Sequence, residues 1–256
     1  MDITTSIIIF FLIFSRISGI FILTPLFGSN NIPKTLKIGF SVFLTLIALP
    51  LVKLPAQSIS NIYILLYFII SEFFIGLIFG FVSLLVLNSI YVAGVIVDRN
   101  IGFSIVNVLS PQDESEMPIT ANLYYTMAIM VFLITNSHHI LIKAILHSFK
   151  TVPLGFNASN LLFLNKVIDI LQTSFILGFK IASPIIITIF ITNILLGILS
   201  RSIPQMNVFI VGMPLKILVG LVTMFIILPL YFGIFSNIFS MMFEYIKNFI
   251  NNVPKG

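Results

Sequence analysis

The chain has no cysteine. Disulfides, thiolate nucleophiles and cysteine metal sites are excluded together. Charge is nearly as scarce. Only 8% of the 256 residues are Asp, Glu, Lys or Arg, against roughly 25% in an ordinary soluble domain. A soluble fold of this length would have to cover its outside with polar side chains. Here 59% of residues are hydrophobic and the mean hydropathy is +1.17. The shortage of charge therefore places the chain among membrane proteins before any motif is read.

Other signals are missing too. Gly94 and Gly102 stand too far apart for a phosphate-binding loop, and no G-x-x-x-x-G-K-[ST] occurs. Ser, His and Asp are present, but no arrangement of them would activate a nucleophile. His138, His139 and His147 have no further ligands nearby, so no metal site is expected. Being adjacent, His138 and His139 should point in different directions on a helix. No cofactor and no enzymatic activity are expected. The net charge is +5, but the basic residues are scattered and form no stripe with interleaved aromatics. That disfavours nucleic acid and suits loops beside anionic headgroups. The first apolar run follows Asp2, not a basic residue, and lacks a small-residue cleavage site, so it reads as a retained helix. No internal repeat is visible.

What is present is a series of apolar runs: Ile7–Phe27, Ile38–Val52, Ile62–Val97, Ala121–Leu146, Leu171–Leu199 and Val208–Tyr245. They are continuous, not alternating, which favours membrane helices over a barrel. A span needs about 20 residues. The second run is short. The third would extend ~54 Å as one helix, so it should bend, form a hairpin or project beyond the bilayer. The sixth is equally long, and Pro229 offers a break within it. An all-α fold is expected, with an open span count. Basic residues occur in most linkers, so loop charge assigns no orientation.

Four charges inside the runs stand out: Arg16, Glu72, Lys180 and Lys216. Each costs roughly 2.5–3.5 kcal/mol near a helix centre in lipid. They should face protein, water or one another, or lie near a helix end and snorkel. Glu72, Gly76 and Gly80 share one helix face, a close-packing seam that asks for a partner helix. Lys180, Pro184, Thr188 and Thr192 form a second stripe. There Pro184 frees a carbonyl that neighbouring hydroxyls can re-satisfy. Gly212, Lys216 and Gly220 form a third. The segment Asp98–Thr120 is unlike a plain connector. It carries Asp113, Glu114 and Glu116, three of the eight acidic residues, after an apolar half with Ile105, Val106, Val108 and Leu109. Pro111, Met117 and Pro118 complete it. Loops of this length are often functional. Either it is a solvated connector or it enters a cavity or pore.

Three stretches resemble the FliR family of flagellar export-gate proteins. The first is Arg16-Ile-Ser-Gly19 with Pro25-Leu-Phe-Gly28 and Pro33. The second runs from Glu72 and Gly76 through Gly94-Val-Ile-Val-Asp98, Gly102-Phe-Ser104 and Pro111 to Asn136-Ser-His-His139, Ser148-Phe149 and Pro153. The third, and most specific, is Arg201-Ser-Ile-Pro204-Gln-Met-Asn-Val-Phe209 with Gly212-Met-Pro-Leu-Lys-Ile217 and Gly220. Ser137 stands where the family pattern has Gly. The resemblance covers nearly the whole chain. It implies a non-enzymatic subunit of the flagellar type III secretion gate in the bacterial inner membrane. Residues 1–150 would be a FliP-like helical half, and residues 151–256 a FliQ-like half. Implied partners are FliP-like and FliQ-like subunits, FlhB-like and FlhA-like proteins, unfolded flagellar substrates and membrane lipid. The loop from about 105 to 118 would be a channel plug. The homologous subunit of a virulence injectisome shares this reading. A secondary transporter built on Pro184 and the intramembrane charges is the alternative from another class, but inverted repeats are lacking.

Overall fold

The computed structural model describes residues 3–24, 27–28, 32–52, 61–103, 118–155, 162–203, 205 and 207–251. Among them are seven α-helices, one short 3-10 turn and no strand. The all-helical expectation holds. α1 spans Ile3–Leu23 and stops two residues short of Pro25, a residue type that disfavours helix before it. α2, Lys34–Ala48, starts directly after Pro33 at φ −54°, ψ 139°, and tightens into the 3-10 turn Leu49–Leu51 around Pro50.

α3 runs unbroken over Ile62–Ile101, so the third apolar run is one 40-residue helix and not a hairpin. Gly102 ends it. At φ 104° Gly102 takes the left-handed conformation that side chains resist, and the amides of Gly102 and Phe103 both donate to the Asp98 carbonyl. The fourth run is not one helix: α4, Ile119–Ile134, and α5, Ser137–Thr151, are separate. The break falls at Asn136, at φ 54°. Asn tolerates this region better than most side chains. The left-handed position is thus Asn136 itself, leaving Ser137 free to open α5.

α6, Leu162–Ser202, and α7, Val208–Asn251, are the longest elements, with 41 and 44 residues. Pro184 lies inside α6, and Pro214 and Pro229 lie inside α7. The break expected at Pro229 does not occur, because a single missing amide is outweighed by the hydrogen bonds of the turns on either side. Asn207 starts α7, its Oδ1 accepting from the Ile210 amide at 3.4 Å. Among the described residues five helices are long and apolar enough to cross a membrane, or six spans if the α4–α5 pair counts as one.

The described residues pack as two compact units that interleave along the chain. The first takes its residues from Met1–Val86, Asn136–Leu171 and Phe239–Gly256, with Leu12, Ile17, Phe79, Leu141 and Ile246 in its core. The second takes them from Leu87–Thr135 and Gln172–Ile238, around Ile90, Val97, Ala128, Ile185 and Phe235. Much of the apolar side-chain surface of α6 and α7 is uncovered, up to 81% at Phe225.

Candidate functional site

The first unit is built around a buried ion pair. Arg16 on α1 and Glu72 on α3 are both fully inaccessible, with Nε donating to Oε2 at 2.5 Å. Two unpaired charges in such a core would each cost several kcal/mol. The surrounding backbone takes up much of their remaining hydrogen-bonding capacity. Arg16 Nη1 donates to the carbonyls of Ser148 and Val152 at 3.3 and 3.1 Å, at the end of α5. The Gly155 amide donates to Glu72 Oε1 at 2.9 Å. Phe149 stacks beneath, its ring centre 4.6 Å from the guanidinium carbon. The cations favour a helix C-terminus, where unsatisfied carbonyls gather. The pair therefore ties α1, α3 and the α5 terminus together.

Glycines make this approach possible. A Cβ on Gly19 would come within 2.5 Å of the Phe73 carbonyl, and one on Gly80 within 2.7 Å of the Ile20 carbonyl. A Cβ on Gly76 would run into the Arg16 carbonyl. α1 and α3 lie side by side and run in the same direction, residue 16 level with 76 and residue 20 with 80. Ser15 Oγ also donates to the Ile69 carbonyl at 2.7 Å. The partner helix that Glu72, Gly76 and Gly80 ask for is thus α1 of the same chain. Gly19 is the third glycine of the seam. It stands three residues after Arg16, on the same face, a spacing legible in the sequence.

In the second unit the residues that flank segment 104–117 are tied together. Asp98, 2% exposed, accepts from the Thr120 amide at 3.0 and 3.1 Å through its two oxygens, and from the Ala121 amide at 3.4 Å. Pro118 supplies no side-chain cap to α4. Asp98 caps it from the end of α3, placing negative charge at the helix N-terminus. Gly94, one turn earlier, abuts the Ala121 backbone so closely that a Cβ would overlap it. Asp98 thus serves both ends: its carbonyl closes α3 and its carboxylate opens α4. Ile105, Val106, Val108, Leu109, Pro111 and Met117 lie outside the described residues.

The remaining predicted residues do not gather at one site. Lys180 is exposed midway along α6 and Arg201 is exposed in its last turn. Pro184 is half-buried. The carbonyl it frees, that of Lys180, accepts from Ser183 Oγ at 2.8 Å. Thr188 and Thr192 bond instead to the Pro184 and Thr188 carbonyls. The relieving hydroxyl is therefore the immediate neighbour, because a side chain at i+3 reaches that carbonyl and those farther along cannot. Lys216 is half-exposed and lines a cleft with Arg99. Gly220 abuts Ile101. His138 and His139 are not directed apart: their ring centres are 4.2 Å apart. Roughly 100° of helix rotation separates their Cβ atoms, and the imidazoles swing back across it.

A further polar contact has no counterpart in the sequence reading. Tyr124 donates to the Tyr231 hydroxyl at 3.0 Å, and Tyr231 donates to the Ile181 carbonyl at 3.2 Å, all buried. These residues are 107 and 50 positions apart, beyond the reach of any local pattern.

Residues 7–242 match the family described as bacterial export proteins, family 1. A curated relative from Bacillus subtilis (strain 168), named flagellar biosynthetic protein FliR, is 35% identical over 245 residues, covering 94% of each chain. Proteins of the same name from Aquifex aeolicus (strain VF5) and Escherichia coli (strain K12) are 28% and 27% identical. The first alignment covers 98% of both chains, and the second 93% of this one and 91% of the relative.

Proposed function

The chain belongs to the bacterial export proteins, family 1, and on that premise we propose that it is the gate subunit of a flagellar type III secretion apparatus which, with FliP-like and FliQ-like subunits, forms and plugs the channel for unfolded flagellar proteins. At the coarser level it is a membrane-embedded component of flagellar protein export, and its role is structural. The observation that carries the reading is near-complete alignment with flagellar biosynthetic proteins, 94% of both chains at 35% identity. The bacterial inner membrane is the proposed site, and FlhB-like and FlhA-like proteins are further proposed partners. Residues 1–150 form the proposed FliP-like part and residues 151–256 the FliQ-like part. The long α6 and α7, joined by only five residues, suit the second as a helical hairpin.

The plug assignment rests on a physical requirement. A channel wide enough for an unfolded chain would dissipate the ion gradient unless stoppered. A loop is held by few contacts and moves fast. Ile105, Val106, Val108, Leu109 and Met117 supply an apolar seal that excludes water. Asp113, Glu114 and Glu116 would face the wetter lumen. The Asp98 cap and the Gly94 contact give such a loop a fixed neck. Deleting Val106 to Met117 tests this. Assembly of the complex should persist while membrane conductance rises, in cells or in reconstituted bilayers. Unchanged conductance in a deletion variant that assembles normally would return the loop to a solvated connector. Loss of this gene without loss of flagellar filaments would reject the export reading itself.

A further inference from the structure

A cleft of about 390 Å³ opens in the second unit. Its walls are the last turn of α3 with Arg99 and Asn100, α6 at Asn193 and Gly197, and α7 at Gly212 and Lys216. Its volume lies within the usual small-ligand range of roughly 300–1,000 Å³. Among the described residues no carboxylate lines it, and the two charges are both positive. Neither has an ion pair among the described residues, where Arg16–Glu72 is the pair found. Asp98, next to Arg99, is already committed to the α4 amides. Two cations sharing a cleft repel each other, and both are stabilised by an anion placed between them.

The cleft's position narrows the anion's class. It lies at helix ends: α3 stops at Ile101, α6 at Ser202, five residues beyond Gly197, and α7 starts at Val208, four before Gly212. α6 carries no charge from Ile181 to Ser200, and the cleft's Asn193 and Gly197 lie in the C-terminal part of that uncharged stretch. Ile194, Leu195 and Ile198 lie on the exposed flank beside it, 49–59% accessible. A cationic recess beside a bare apolar flank is the pattern an amphiphile with a negative head fits, and basic pockets between membrane helices bind phospholipid headgroups this way.

We propose that Arg99 and Lys216 bind a phosphate oxyanion in this cleft, carried by an anionic phospholipid whose acyl chains lie along α6. The site is independent of the export reading, since binding and filament assembly are measured separately. Gly197 supplies a probe of the space, because a Cβ there would meet no atom within 4 Å. Gly197→Leu therefore adds bulk at the cleft wall, leaves both cations in place and starts from a Cβ that meets no existing atom.

The experiment is titration of the full chain in neutral detergent with phosphatidylglycerol, phosphatidylcholine or inorganic phosphate, with melting curves as a folding control. Phosphatidylglycerol should bind and phosphatidylcholine should not. Each cation removed should weaken binding roughly fivefold, and Arg99→Gln with Lys216→Gln about 30-fold. Gly197→Leu should weaken it with both cations present. Full binding by inorganic phosphate, with no advantage for the lipid, keeps the oxyanion site but makes free phosphate its source. Unchanged phosphatidylglycerol affinity in the double variant and in Gly197→Leu overturns the proposal. If a variant fails to fold, the wild type still decides, because equal binding of both lipids overturns it.

Discussion

Arg16 shows how much one side chain can be asked to do. Its guanidinium meets a carboxylate, two backbone carbonyls and an aromatic face in four directions. A lysine ammonium keeps the charge but not the planar fork, so Arg16→Lys is not conservative here. Glu72→Gln leaves the guanidinium buried without its counter-charge. Removing one member of a buried pair costs about 3–5 kcal/mol. Both variants should fall in melting temperature and purified yield, measured in detergent, with Glu72→Gln the more damaging. Wild-type melting in both would mean that the pair contributes nothing to the fold. The sequence singled out both charges as needing partners. It did not show that each would be the other's, because 56 residues separate them and helix packing alone sets which faces meet.

At the scale of elements, the α1–α3 seam and the neck at Asp98 rest on backbone approach. Gly76→Leu would put a branched side chain where the Arg16 carbonyl already lies, forcing the helices apart and stranding the ion pair. Near-complete loss of folded protein and of motility is expected. Gly39→Ala, on α2 with nothing within 4 Å of a new Cβ, is the control. It should be neutral or stabilise by about 0.5–1 kcal/mol, because alanine has less conformational freedom to lose. Folding yields of the two variants side by side check this, and equal yields would mean that the seam tolerates bulk. The four-residue spacing of Glu72, Gly76 and Gly80 was legible from helical periodicity. The capping role of Asp98 was not, because its partners come 22 and 23 residues later and Pro118 gives no local sign that a cap is missing.

At the scale of the molecule, the exposed apolar surface of α6 and α7 and the exposed Lys180 dominate. Lipid can cover leucine and phenylalanine but leaves a mid-helix lysine costly. Neighbouring proteins or a water-filled lumen relieve it. Co-expression with FliP-like and FliQ-like proteins should therefore yield a larger complex of defined mass, with a higher melting temperature in detergent than the lone chain. Mass measurement of the purified species decides. A monodisperse monomer indifferent to those partners would contradict an assembly role.

Composition and periodicity by themselves determined that this protein is all-helical and belongs in a membrane, and that Arg16, Glu72 and the glycines near them are not ordinary lipid-facing positions. Those properties are local: too little charge to cover a soluble surface, and apolar runs long enough to hydrogen-bond internally as helices. Local sequence also misled where it gave only a tendency. Pro229 did not break α7, Ala121–Leu146 is two helices, and the histidine rings meet. Tertiary packing alone sets that Glu72 meets Arg16, that Tyr124 finds Tyr231, and that Arg99 and Lys216 share a cleft. Such pairings depend on which helix faces come together, a property of the whole packed chain that no short window of residues contains.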